Sequence, residues 1–260
     1  MTDEHVDFSE FADRFRAADP EGDAFSLGPL TFWIKASGGD WLCRTARGKG
    51  EAAAPGAPEH DEGWRRIGSY PEMKSFHLKP ALPARPVVVR PEFPYVIQPG
   101  ERLYFFVSVP ISVQILNEAG VVLMEEPVVQ LSNTWFGAPV DGELCFAMRT
   151  LARRELERLD FRPWRVVCPV RIRNQSKETM SFERLCLRVP YLTIYEKKGK
   201  GMWANESGVT IRGEESWSRV VYARGAPPLV PDARLLAESR DESRGSFALR
   251  SLNWGKGFFQ

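Results

Sequence analysis

The side chains best suited to acid–base or nucleophilic chemistry are few in this chain. The three histidines are His5, His60 and His77. His5 lies in an acidic stretch and His60 in a segment without apolar periodicity, and neither context would hold a catalytic base in a fixed geometry. Only His77 lies in a predicted strand, where a single histidine is more often structural or exposed than catalytic. No G-x-S-x-G or phosphate-cradling glycine motif occurs. The sequence therefore favours a protein that is not an enzyme.

The four cysteines, Cys43, Cys145, Cys168 and Cys186, show no C-x-x-C spacing and have no histidine cluster beside them. A structural zinc site usually takes four converging ligands arranged in two close pairs. The spacing therefore predicts no metal and no cofactor. Cys145 and Cys168 lie among apolar strand residues and are expected to be small core side chains.

Arginines are concentrated in one part of the chain, since residues 149–173 hold eight of them. Apolar and charged residues alternate in 168–173 and again in 182–189, with a turn-like segment between, which predicts a hairpin with one wet face. That face would carry a strip suited to binding an anion, although a charged face is most often only solvated. The four arginines of the strip are Arg171, Arg173, Arg184 and Arg188. The formal net charge of +1 gives no global field for nucleic acid, which is not an expected partner.

Large aromatic side chains provide the strongest hint of a contact surface. Trp135 and Phe136 follow a polar trio and precede Gly137, as at the end of a strand. Trp254 and Phe258 belong to an aromatic C-terminal tail. Exposed apolar side chains at a rim often mark a contact with a protein partner or a second copy. The alternative for each of them is core packing.

Strands must position all of these residues. About a dozen predicted strands recur at 8- to 12-residue spacing with little helix, which favours an all-β fold of antiparallel β-sandwiches. Phe8, Phe11 and Phe15 form a stripe at helical spacing and predict one short N-terminal helix. The pattern leaves open whether the chain is one domain or two packed sandwich halves.

The predicted organisation has four parts. Residues 1–24 form an acidic arm that includes the helix. Residues 25–137 form a first sandwich half, which carries an exposed mobile insertion at 47–60. Residues 138–225 form a second sandwich half, and residues 226–260 form a C-terminal extension. No secretory signal pattern opens the chain, and the most apolar stretch, residues 103–116, is too mixed for a transmembrane helix. A cytoplasmic protein with reduced thiols is expected.

Two stretches carry a resemblance to a known family. The run from Leu131 to Gly137 followed by Gly142–Phe146 resembles the middle of an uncharacterised prokaryotic family called domain of unknown function 432. The runs Val170–Ser176 and Glu183–Tyr195 are similar to its second half. The resemblance covers roughly residues 25–225 and implies no activity, cofactor or catalytic residue.

Taken together, the residues predict a non-enzymatic cytosolic β-sandwich protein that acts by binding a protein partner or itself. Two alternatives stay open. One is a hydrolase-like enzyme with a site between the sheets, since triad residues can be distant in sequence. The other is a module that binds anions or carbohydrates.

Overall fold

The computed structural model describes residues 7–14, 23–49, 63–69, 73, 75–140, 142–159, 161–212, 218–242, 247–249 and 252–253. These residues form many strands and one short α-helix at the N-terminal end, which confirms the all-β prediction. No helix within these ranges has the length and apolar character needed to cross a membrane.

The chain divides into two compact units, and each is built from several separate segments. The first unit takes residues 1–81, 110–130 and 162–164, and the second takes residues 82–109, 131–161 and 165–260. This division differs from the predicted one at residues 137 and 138, where the structure has the turn between two paired strands. A break in strand alternation marks any turn, so it does not distinguish a hairpin from a domain boundary.

The first unit contains the helix α1 and two antiparallel sheets. Strands β1 to β4 form one sheet in chain order, and the other has the order β10-β9-β5. The bounds are α1 (Phe8–Arg14), β1 (Asp23–Leu27), β2 (Leu30–Ser37), β3 (Asp40–Arg47), β4 (Arg65–Ser69), β5 (His77–Ala81), β9 (Ser112–Leu116) and β10 (Val122–Pro127).

Local sequence explains the best-defined hairpin of this unit. Gly38 and Gly39 connect β2 to β3 with φ of +61° and +84°, a left-handed conformation that glycine adopts without strain. Glu126 of β10 accepts hydrogen bonds from Arg47 of β3 and Arg65 of β4. This carboxylate therefore ties the two sheets of the first unit together.

The second unit contains three sheets of five, eight and two strands. Their orders are β11-β12-β6-β15-β22, then β20-β16-β17-β13-β18-β19-β21 with β8 paired to β13, and β14-β7. The bounds are β6 (Val87–Val89), β7 (Tyr95–Ile97), β8 (Arg102–Pro110), β11 (Ser132–Phe136), β12 (Glu143–Ala147), β13 (Arg165–Asn174), β14 (Met180–Phe182), β15 (Arg184–Leu187), β16 (Ile194–Lys197), β17 (Gly201–Ala204), β18 (Ser207–Ile211), β19 (Ser218–Tyr222), β20 (Arg234–Ala237), β21 (Phe247–Leu249) and β22 (Leu252–Asn253).

The hairpin predicted for residues 168–189 does not form. Strand β13 lies in the eight-stranded sheet and pairs in parallel with β17 and β18, whereas β15 lies in the five-stranded sheet beside β6. Within β13 the predicted alternation is correct, since Val170 and Ile172 are buried and Arg171 is exposed. In and after β15 it is wrong, because Cys186 and Arg188 are buried as well as the apolar residues. Alternation shows which side chains share a face, but it does not identify the neighbouring strand or show whether both faces are covered.

Residues 87–89 also take an unexpected place. The prolines on either side predict an edge strand, yet β6 lies inside the five-stranded sheet, between β12 and β15. Pro86 and Pro91 flank the strand without interrupting it, so the ladder loses no donor within β6.

Candidate functional site

A concave basin of about 270 Å³ opens on the eight-stranded sheet. Three arginines, two of them among the predicted anion-binding residues, surround a small floor of short side chains. The lining residues are Arg102, Arg171, Arg173, Gly208, Val209, Thr210 and Val221. We call this the arginine basin.

Strand register explains why the arginines converge. Arg171 and Arg173 are two residues apart on β13, so their side chains leave the same face of the sheet. The neighbouring strand β18 places Gly208 beside Arg171 and Thr210 beside Arg173. The Arg171 guanidinium lies near Gly208, with Nη2 3.7 Å from where a Cβ would stand, which is an ordinary van der Waals distance.

The charge of the basin is positive and incompletely balanced. Glu206 pairs with Arg171, with Nη2 and Oε1 3.1 Å apart. Among the described residues, three guanidinium groups and this one carboxylate give a formal charge of +2. The Nε of Arg173 is buried and has no hydrogen-bond partner within the described part of the chain. Buried donors without a partner are rare in folded proteins, and this one belongs to a guanidinium group that lines the basin.

The fully buried side chain of Asn174 fixes the end of β13, directly after Arg173. Its Nδ2 donates to the carbonyls of Ile97 at 2.9 Å and Glu178 at 2.8 Å. Its Oδ1 accepts from the backbone N–H of Ser176 at 2.9 Å and from the Ser176 hydroxyl at 2.7 Å. All four bonding positions of the amide are used, and the strand that carries Arg171 and Arg173 is anchored at this end.

A second, larger cavity of about 480 Å³ borders the basin, because Val221 lines both. It is bounded by three tyrosines, Tyr191, Tyr195 and Tyr222, together with Asn205, Arg219 and Arg224. The rings of Tyr191 and Tyr222 lie 5.6 Å apart, and the Tyr222 hydroxyl is buried without a partner among the described residues. Burial raises the pKa of Tyr222, so this phenol stays neutral and can donate a hydrogen bond. We call this the tyrosine cavity.

The structure separates the four arginines of the predicted strip. Arg171 and Arg173 line the basin, Arg184 is half-buried in the five-stranded sheet, and Arg188 is buried and paired with Glu143. Arg102, which the sequence analysis missed, completes the basin because β8 pairs with β13. That pairing joins residues about seventy positions apart, and no local sequence pattern predicts it.

A family model described as a protein of unknown function, DUF432, matches residues 13–253. The chain belongs to this family. The match confirms the resemblance seen in the sequence and extends it toward both ends. No curated protein and no solved structure matches the chain.

The predicted aromatic contact residues have different surroundings in the DUF432 chain. Trp135 of β11 is 48% exposed, whereas Phe136 is 3% exposed and belongs to the core, so the prediction of a contact role for Phe136 is wrong. Phe136 is buried because neighbouring strand residues face opposite sides of the sheet. Trp254 and Phe258 lie outside the described residues.

Trp135 is held in place on an exposed hairpin. Its Nε1 donates to the carbonyl of Ala138 at 3.0 Å, and a Cβ at Gly142 would stand only 2.3 Å from that nitrogen. Leu144, 44% exposed, lies directly across the strand pair, and Val140 in the turn is almost fully exposed. We call Trp135, Val140 and Leu144 the hairpin patch.

Two buried cysteines come together in the five-stranded sheet, although they are 41 positions apart. The Sγ atoms of Cys145 and Cys186 are 3.8 Å apart, and the Cys186 Sγ lies 3.7 Å from Oε1 of Glu143. The hydrogen bond between the thiols lowers the pKa of Cys145 and raises that of Cys186, which burial raises further. The sequence analysis missed this cluster because its members come from strands on either side of β6.

His77, the histidine considered for catalysis, is exposed on β5, where it pairs across the ladder with Leu116. No described carboxylate forms a hydrogen bond or an ion pair with its imidazole. The hydrolase alternative therefore has no oriented base at His77.

Proposed function

We propose that this protein binds a small ligand carrying a phosphate or carboxylate group in the arginine basin. The observation that carries the proposal is a cavity of about 270 Å³ that is lined by three arginines, one of which, Arg173, has a buried Nε without a partner among the described residues. Guanidinium groups present fixed N–H donors that match the geometry of an oxyanion. A formal charge of +2 in the basin suits a doubly charged group.

The tyrosine cavity extends the proposal to the rest of the ligand. Val221 borders both spaces, so a ligand with its anionic group at Arg173 could place an uncharged ring or chain against Tyr191 and Tyr222. Tyrosine faces and a neutral phenol suit a ring that also accepts a hydrogen bond. A phosphorylated or carboxylated ring compound is therefore the expected class of ligand.

Isothermal titration calorimetry with the full chain tests this proposal. Phosphate, citrate and a sugar phosphate are expected to bind saturably, with the sugar phosphate strongest, and added NaCl should weaken each of them. Glucose is the uncharged control. If glucose binds and phosphate does not, the carbohydrate alternative replaces this proposal, and if none of the four binds, the proposal is wrong.

A second proposal, favoured by the hairpin patch, is that the protein pairs with another copy of itself. Among the described strands, β11 is the edge strand of its sheet, and no other described strand pairs with the outer side of its backbone. Exposed Trp135 and Leu144 lie on that strand and its neighbour. Two such edges could pair antiparallel about a two-fold axis and cover both patches.

Replacing Trp135 with alanine is expected to weaken self-association and leave the fold intact. Half of the ring is exposed, so the loss of its packing and one hydrogen bond should cost only about 1 kcal/mol of folding free energy. Sedimentation velocity over a range of concentrations measures association, and urea unfolding measures stability.

The exposed phenylalanine Phe93 offers a matched control for that experiment, because Phe93→Ala removes a large apolar side chain outside the patch. It should leave association unchanged. If Trp135→Ala unfolds the chain, Trp135 is a structural residue, and if wild-type protein stays monomeric at every concentration, self-pairing is wrong.

We also propose a cytoplasmic location. All four cysteines are buried and none forms a disulfide. Free thiols persist in reducing compartments, and this supports the proposal.

A further inference from the structure

The cluster around Cys145 and Cys186 resembles a preformed ligand set. The ligand atoms of Glu143, Cys145 and Cys186 all lie within 4.8 Å of one another. Two thiols and a carboxylate supply the sulfur and oxygen ligands that zinc accepts. None of these residues lines the arginine basin, so the cluster is separate from the proposed ligand site.

The side chains of Cys145 and Cys186 bring the two sulfurs together, although the backbones of their strands are not adjacent. Glu143 and Cys145 are two residues apart on β12 and share one face of the sheet. Cys186 lies on β15, and β6 separates the two strands. Two strand spacings are roughly 9–10 Å, which exceeds the Cα separation of about 7 Å that a disulfide tolerates. A bridging atom fits between these sulfurs better than a direct S–S bond.

Two of the three distances between the ligand atoms are those expected around a tetrahedral metal, and the third is at most 4.8 Å. Zn–S bonds of about 2.3 Å at a tetrahedral angle place the two sulfurs about 3.8 Å apart, and a Zn–O bond of about 2.1 Å places sulfur and oxygen about 3.6 Å apart. The corresponding distances here are 3.8 Å between the sulfurs and 3.7 Å between Cys186 Sγ and Glu143 Oε1. We propose that Glu143, Cys145 and Cys186 form a Zn²⁺ site.

The residues around the cluster hold its ligands in place. Arg188, 6% exposed, pairs with Oε1 of Glu143 and fixes the orientation of the carboxylate. Phe136 and Val88 pack against the cysteines and keep this side of the cluster apolar. Two thiolates and one carboxylate carry −3, which Arg188 and Zn²⁺ together neutralise. Without a divalent cation, the buried cluster could reach this balance only by keeping protons on the thiols.

Three protein ligands leave a fourth position, which in zinc proteins is usually taken by water or a substrate.

Zinc affinity should depend on pH in a defined direction. Only thiolate binds the metal, so Zn²⁺ must displace the protons that the two thiols carry. Affinity is expected to fall as pH decreases, by about tenfold per pH unit for each proton displaced.

The test uses the full chain after reduction and removal of metal. Zinc is added in competition with a chromophoric chelator, and Co²⁺ is added separately because thiolate coordination gives it a charge-transfer absorption. One tightly bound zinc per chain and a cobalt–thiolate band are expected. Cys145→Ser and Cys186→Ser should abolish both, and Glu143→Gln should lower zinc affinity by at least about tenfold.

The chain provides matched controls in its other two buried cysteines. Cys43→Ser and Cys168→Ser remove equally buried thiols outside the cluster and should leave zinc stoichiometry unchanged. Thermal unfolding of every variant shows which of them fold. If a serine variant does not fold, Glu143→Gln still tests the proposal, because it changes a partly exposed side chain. Protein that takes up no zinc overturns the proposal, as does zinc uptake unaffected by all three cluster variants. A Cys145–Cys186 disulfide that forms readily under mild oxidation would also overturn it, because the strand separation argued above would then be wrong.

Discussion

Replacing Arg173 with glutamine is expected to lower the affinity for phosphate by about 10- to 100-fold. Hydrogen bonds to charged groups contribute about 1.5–3 kcal/mol each, and Arg173 has the one buried basin donor that lacks a partner among the described residues. Glutamine keeps a polar side chain of moderate length but removes the charge and the Nε donor. Calorimetric titration of phosphate into wild-type and variant protein measures the change.

Arg184→Gln is the matched control for that experiment. Arg184 belongs to the arginine strip predicted from the sequence, but the structure places it on β15, in a different sheet from the basin. Its substitution should leave phosphate affinity within about twofold. Arg102→Gln tests the exposed side of the basin and should weaken binding without affecting folding. Equal losses in the Arg173 and Arg184 variants would mean that general charge, rather than the basin, attracts the anion.

Replacing Asn174 with alanine is expected to lower the free energy of unfolding by about 2–5 kcal/mol. The side chain is fully buried, and its loss removes the Nδ2 donor from the carbonyls of Ile97 and Glu178, of which Glu178 keeps, among the described residues, only the Ser176 hydroxyl as a donor. Ser176 loses its acceptor at the same time. Each buried group left unsatisfied costs about 1–3 kcal/mol. Urea unfolding, followed by tryptophan fluorescence, gives the difference.

Asn117→Ala provides the comparison for Asn174. Asn117 also stabilises a turn, where its Oδ1 accepts from the N–H groups of Ala119 and Val121, but those bonds are exposed to water. Water replaces the lost acceptor there, so the expected cost is about 1 kcal/mol or less. If both variants lose the same free energy of unfolding, burial of the Asn174 hydrogen bonds does not add to their contribution to stability.

Strand alternation was enough to predict the all-β fold and the outward direction of Arg171. These features depend on neighbours in sequence. The partners of β13 could not be predicted, because its parallel pairing with β17 and β18 joins segments some thirty residues or more apart. The hairpin expected for residues 168–189 pairs strands that are near in sequence, and the tertiary structure pairs each of them with other strands instead.

The same reason limits what the sequence reveals about sites. Arg171 and Arg173 were identified because they are two residues apart, whereas Arg102 joins them only through the pairing of β8 with β13. Cys145 looks like an ordinary core residue in sequence, and strand alternation places Cys186 on the wet face. Their convergence with Glu143 depends on β6 lying between β12 and β15, and the flanking prolines pointed to the opposite arrangement.

A crystal grown with an oxyanion that contains an anomalously scattering atom, such as selenate or tungstate, locates the bound anion directly. The account predicts an anion oxygen about 2.7–2.9 Å from a guanidinium nitrogen of Arg173, with Arg171 and Arg102 also lining its site. An anion bound elsewhere on the protein while the arginine basin stays free of it would contradict the account.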